Sequence, residues 1–154
     1  MSALGSLTSA TQAKEAASTN PELEKIRAVL QAHDEAMTNH NLEGVLAVFA
    51  PNAVILGTGP GEVWSGTAEI KEAYKNFFMD FDKGQQDFTY HVKFGELGDG
   101  MGWLMASGEV KGKKEGKEFA FPMNLSLTAS KATGGWKFAA MHFSTLTSAK
   151  AGKE

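Results

Sequence analysis

Apolar residues recur at helical spacing through the first half of the chain and at every second position through much of the second half, which predicts helices first and strands after them. Thr19-Asn20-Pro21 supplies capping side chains and a proline suited to a first helical turn, and Glu22 and Glu24 complement the dipole of the helix that follows. Leu23, Ile26, Leu30 and Met37 form its apolar stripe, with His33 in the missing place. A short second helix is expected over Leu42 to Ala50, from Leu42, Val45, Leu46 and Phe49, closed by Pro51. Ala53 to Leu56 and Glu62 to Ser65 read as a hairpin turning at Gly59-Pro60-Gly61. Thr67 then caps a third helix with the stripe Ile70, Tyr74, Phe77 and Phe81, ending before Gly84.

Beyond Gly84 the period falls to two. Phe88, Tyr90, Val92 and Phe94 alternate with polar residues, as do Phe119, Phe121, Met123, Leu125 and Leu127, so each set predicts a strand with one buried face. Met101 to Val110 and Trp136 to Phe143 are apolar on both faces. Trp103, Met105, Trp136 and Phe138 are therefore expected on an outer face that a second subunit covers, giving a homodimer formed through the sheet.

Composition narrows the class. With 42% hydrophobic and 21% charged residues the chain folds as a globular domain, and 154 residues suit a single core. The formal charge of -3 and a single arginine, Arg27, argue against nucleic acid or an anionic membrane surface as partner. No cysteine is present, which removes disulfides, thiolate nucleophiles and cysteine-bound zinc. No apolar run approaches the ~20 residues needed to span a bilayer. The expected organisation is a flexible tail over 1–19, one domain over 20–147 and a short tail over 148–154. A cytoplasmic location is expected, or an exported one if residues 1–19 follow a removed leader.

The stretch Val54-Ile55-Leu56-Gly57-Thr58-Gly59-Pro60-Gly61-Glu62-Val63-Trp64-Ser65-Gly66, together with the closing segment from Gly135-Trp136 to His142-Phe143-Ser144, resembles the SnoaL-like branch of the nuclear transport factor 2-like superfamily, also described as the ketosteroid isomerase-like fold. The resemblance covers about residues 20 to 147 and departs from the usual pattern at Gly59, where relatives often carry an aspartate. It implies an α+β fold in which a cone-shaped, curved antiparallel sheet wraps around a long N-terminal helix, with two further helices. Members include steroid isomerases, polyketide cyclases, dehydratases, binding proteins and a kinase association domain, so the resemblance implies a pocket without choosing a reaction.

His33 is the sharpest candidate for chemistry, because a titratable ring lies on the stripe that would floor the cone. By the resemblance it falls where steroid isomerases place a catalytic tyrosine. Its commoner role is a hydrogen-bonded core residue; the sharper one is proton transfer or the orientation of a ligand carbonyl. Asp34 follows it in sequence but lies about 100° away around the helix, so no pairing is expected. Trp64, Tyr74, Tyr90, Met141 and Phe143 are expected to line the cavity, which suits a small, mostly apolar organic molecule. Where the resembling isomerases carry their base this chain has Gly57 and Thr58, and Phe119 to Thr128 contains no aspartate. Isomerisation by paired carboxylates is therefore not expected, and the arginines that bind anions in the kinase association domain are replaced at the matching positions by Gly108, Leu127 and Phe143. Glu62 and Glu109 read as solvated or outward-facing. His33, His40, His91 and His142 lack metal-ligand spacing, so neither a metal nor a cofactor is implied. Three functions stay open: a binding protein; an enzyme of lyase, isomerase or cyclase type using His33; and an assembly module.

Overall fold

The computed structural model describes residues 21–132 and 135–145. The two expected tails and the expected Thr19-Asn20 cap lie outside the described residues. Among the described residues three helices, α1 (Pro21–Thr38), α2 (Leu42–Ala47) and α3 (Gly66–Phe78), pack on one face of a six-stranded sheet. Its strands are β1 (Phe49–Leu56), β2 (Val63–Ser65), β3 (Gln86–Leu97), β4 (Met101–Lys114), β5 (Lys117–Ala132) and β6 (Gly135–Thr145), in the spatial order β2-β1-β6-β5-β4-β3. The curved sheet is unclosed and antiparallel except where β1 runs parallel to β6. The expected α+β cone is what the chain forms.

Helix α1 ends where His40 adopts the left-handed conformation (φ 53) and the Asn41 amide bonds back to the Ala36 carbonyl. Asn41 then caps α2 by accepting from the Gly44 amide at 3.0 Å. Helix α2 stops three residues short of the expected end at Ala50. The Val48 carbonyl accepts the Phe138 amide at 2.8 Å and Phe49 pairs with Phe138, so sheet pairing takes over a segment whose spacing is helical. Pro51 falls in the irregular stretch of that pairing, where its missing N–H costs nothing. Helix α3 begins two residues earlier than a cap at Thr67 predicts, with Ser65 at the cap and its amide donating to Glu69 at 2.7 Å.

The buried stripe of α1 lies against β3 and β4 at two glycines, Gly95 and Gly102. A side chain on Gly95 or Gly102 would collide with Leu23, Leu97 or Ile26, so the helix sits close only because both are glycine. At this end the core is closed by Leu23, Ile26 and Leu104, all 2% exposed or less. Toward the C-terminal end of α1 the helix and the sheet stand apart, and the cavity opens between them.

Two β-bulges change which residues face inward. In β3, Tyr90 pairs with Gly108 and Val92 with Ser107, so His91 is the extra residue. Tyr90 keeps its inward place, but Val92 and Phe94, expected on the same face, lie on the outer face beside Met105. In β6, Phe138 pairs with Ala129 and Ala140 with Thr128, which makes Ala139 extra. The shift puts Trp136 and Phe138 on the same inner face as Met141 and Phe143. Phe138 is fully buried, and the Trp136 indole donates to Glu22 of α1 at 3.0 Å. With Lys25 as the larger influence and this indole second, Glu22 is held down to about 2. The expectation of Trp136 and Phe138 on an outer, subunit-covering face is thus corrected: a strict period of two cannot carry the count through a bulge. Trp103 and Met105 do lie outward, 40% and 50% exposed.

Candidate functional site

A cavity of about 510 Å³ lies between the C-terminal half of α1, the segment after α3 and the inner face of β3 to β6. Its apolar wall includes Met37, Phe77, Val110, Phe121, Met123 and Leu125. Five of the six expected site residues, His33, Tyr74, Tyr90, Met141 and Phe143, line it. Trp64 does not. It sits behind the wall, edge-on to Phe77 with ring centroids 5.3 Å apart, and Phe77 in turn meets Phe143 at 5.9 Å. Strand β2 pairs at the edge beyond β1, one layer too far out for Trp64 to reach the cavity.

The polar end of the cavity is a chain of four side chains from three elements. His33 Nε2 and the Tyr74 hydroxyl are 2.6 Å apart, and His33 Nδ1 is 2.9 Å from Asp34 Oδ1. The Tyr90 hydroxyl donates to Asp34 Oδ2 at 2.7 Å. Helix α1 contributes the central pair, α3 the first tyrosine and β3, just before its bulge, the second. His33 is 7% exposed and packed on edge against Phe49 and Tyr74, so its ring orientation is set by packing as well as by hydrogen bonds.

The expectation that Asp34 and His33 do not pair is corrected by this geometry. The 100° between successive residues separates the Cα–Cβ directions, whereas Nδ1 lies on the near side of the imidazole and the short carboxylate is drawn toward it by Tyr90. The pairing also supplies an inward carboxylate that the strand positions lack. Sequence spacing carried one usable signal for it: a short acid beside the only histidine of a buried stripe.

Burial, with the Asp34 charge as the second influence, raises the pKa of both tyrosines well above the usual phenol range, so each keeps its proton at neutral pH. When the imidazole is neutral, the protons therefore run toward Asp34: Tyr74 O–H to His33 Nε2, His33 Nδ1–H to Asp34, and Tyr90 O–H to Asp34. When the imidazole carries a second proton, Nε2–H donates to the Tyr74 oxygen and the Tyr74 O–H is released toward the cavity. The arrangement can thus accept a proton at one end and present a donor in exchange.

Glu62 reaches the cavity mouth, where its carboxylate accepts from the Gly59 amide at 2.9 Å and steadies the β1–β2 turn. Glu109 lies on the outer face, half-buried. Asp82 ties the segment after α3 to the β4–β5 turn by accepting from the Glu115 and Gly116 amides at 2.8 and 2.9 Å. Among the described residues no three His, Asp or Glu side chains converge as a metal site would require, and no helix is long and apolar enough to cross a membrane.

Comparison with known proteins places this geometry. The family model for the SnoaL-like domain matches residues 26–148. Solved structures with the same fold include a ketosteroid isomerase-like protein from Erwinia carotovora, 20% identical, with a TM-score of 0.67 over 83% of this chain and 98% of that one. Another is Aln2 from a Streptomyces species, 15% identical, with a TM-score of 0.71 over 88% of this chain and 98% of that one. A third is an NTF2-like protein of unknown function from Pseudomonas putida, 14% identical, with a TM-score of 0.67 over 79% of this chain and 84% of that one. No curated protein matches the chain. Identities this low carry the fold and leave the chemistry to the residues.

Proposed function

Because the chain belongs to the SnoaL-like domain family, we propose that it binds a small, mostly apolar organic molecule in the cavity between α1 and the sheet. The observation that carries this reading is the cavity itself: about 510 Å³, walled by aromatic and aliphatic side chains, with the hydrogen-bonded chain of His33, Asp34, Tyr74 and Tyr90 in its lining. Such an arrangement fixes the orientation of a molecule that has one polar end and an apolar body. The uncharged dye Nile red serves as a probe. It is expected to bind with enhanced fluorescence, and Met123→Trp, which fills the cavity, to weaken it about tenfold, the equivalent of about 1.4 kcal/mol. Undiminished binding in the variant would place the dye elsewhere and remove the support for a pocket protein.

A second reading, an enzyme of lyase, isomerase or cyclase type, is favoured by one specific observation. His33 is bonded on both ring nitrogens, to the Asp34 carboxylate on one side and the hydroxyl of Tyr74, a cavity-lining residue, on the other. An imidazole held this way takes a proton from a bound molecule through Tyr74, while Asp34 stabilises the resulting imidazolium. The donors and acceptors needed are all supplied by the chain.

For the outer face we propose a homodimer built on Trp103 and Met105, with Met101 and Val92 beside them, each at least 40% exposed. Large apolar side chains clustered on one sheet face favour burial against a second copy. Trp103→Glu is expected to convert a dimer to a monomer in sedimentation equilibrium, since a desolvated glutamate would oppose its own copy across the interface. A parent that sediments as a monomer refutes the proposal.

A further inference from the structure

The cavity's charged lining is one-sided. Asp34, Glu62 and Asp80 contribute carboxylates to it, and among the described residues no lysine or arginine lines it. His33 is the one lining residue among them able to carry a positive charge, and both its ring nitrogens are already engaged.

The hydrogen bonds are one-sided as well. With a neutral imidazole, the hydroxyl hydrogens of Tyr74 and Tyr90 and the Nδ1 hydrogen of His33 all point along the chain toward Asp34. What these groups turn to the cavity is lone pairs. Thr145, also in the lining, spends its hydroxyl hydrogen on the Pro122 carbonyl at 2.6 Å. Gln86, at the rim, has a buried Oε1 that finds no donor among the described residues. A protonated imidazole releases one donor, the Tyr74 O–H, and leaves the three carboxylates unchanged. The apolar wall is compatible with this, because the faces of aromatic rings attract cations and Phe81, Phe88, Phe119 and Phe121 are among its lining residues.

From this we infer that the cavity takes an organic cation, an amine whose protonated nitrogen docks at Asp34 and whose aromatic or aliphatic body lies against the phenylalanine wall, and that it rejects carboxylates and phosphates of the same shape. The inference rests on the reading of the cavity as a binding pocket. A bound ammonium satisfies acceptors that otherwise face an apolar space, whereas an anion would meet three carboxylates and no cationic side chain but an already engaged His33, with only neutral donors such as the Gln86 amide to set against them.

Three indoles of matched shape test it by displacing Nile red from the full chain at pH 8: tryptamine, tryptophol and indole-3-propionate. Tryptamine is expected to displace the dye at about one tenth the concentration of tryptophol, with indole-3-propionate the weakest of the three. Asp34→Asn is expected to narrow the gap between tryptamine and tryptophol to about threefold or less. Indole-3-propionate matching or exceeding tryptamine in the parent overturns the inference, as does an amine preference undiminished in a folded Asp34→Asn. In either case Nile red binding sensitive to Met123→Trp leaves the pocket reading standing. Absence of dye binding to the parent overturns both. Should Asp34→Asn fail to fold, the ranking of the three indoles in the parent alone decides.

Discussion

Replacing Phe138 by alanine is expected to lower stability by about 3–5 kcal/mol. The ring is fully buried and meets Phe49 edge-on at 5.8 Å and the His33 ring at 6.4 Å. It joins the β1–β6 pairing to the helix that carries the polar chain. Truncation removes the transfer free energy of a phenyl group and leaves a hole where strand and helix cannot close together. For a domain of this size the midpoint of thermal unfolding should fall by roughly 10 °C. Urea titration with an unchanged slope would assign the loss to packing and not to a more compact unfolded state. A loss under about 1 kcal/mol would mean that the ring lies on an exposed face after all.

The second large effect concerns turnover. Under the acid–base reading, His33→Ala is expected to lower the rate on a responsive enone, lactone or hydroxy-ketone substrate by about 10²–10⁴-fold. The variant breaks the link between Tyr74 and Asp34 at its centre. It also leaves the Tyr74 hydroxyl buried without its acceptor, at a cost of about 1–3 kcal/mol in stability. Rates therefore need to be compared at a temperature where both proteins are folded, with far-ultraviolet circular dichroism as the check. Equal turnover in variant and parent rejects His33 as the proton-transfer group, and a panel on which the parent turns over nothing favours the binding reading.

The order of elements was legible because it depends on periodicity, and periodicity survives in segments such as Leu23 to Leu30 or Phe119 to Leu127. What periodicity could not carry was phase. His91 and Ala139 each add one residue to a strand, and everything beyond them changes face. Val92 and Phe94 moved outward and Trp136 and Phe138 inward for that reason alone. The first bulge has a partial signature in Gly108, whose Cβ would overlap the Thr89 carbonyl oxygen if it had one, but an isolated glycine in a strand does not say which neighbour needs the room.

The site was half legible. His33 stands out because a polar residue interrupts a buried stripe, and Tyr74 and Tyr90 because their positions face the same space. Their assembly depends on distances across 41 and 56 residues of sequence, which no local pattern records. The Asp34 pairing is not legible from helical angle, which describes where a side chain starts and not where its last atom reaches. The aromatic character of Trp64 fits a cavity wall; only the placement of β2 at the sheet edge, with Trp64 packed against Phe77, takes it out of the lining.

The chain contains two tyrosines, Tyr74 and Tyr90, and both belong to the polar chain at the cavity. Any spectroscopic label carried by tyrosine therefore reports from the site with no background from the rest of the molecule. Biosynthetic incorporation of 3-fluorotyrosine would give two fluorine resonances, one for each end of the His33–Asp34 pair, and a ligand entering the cavity would announce by their separate shifts which end it touches.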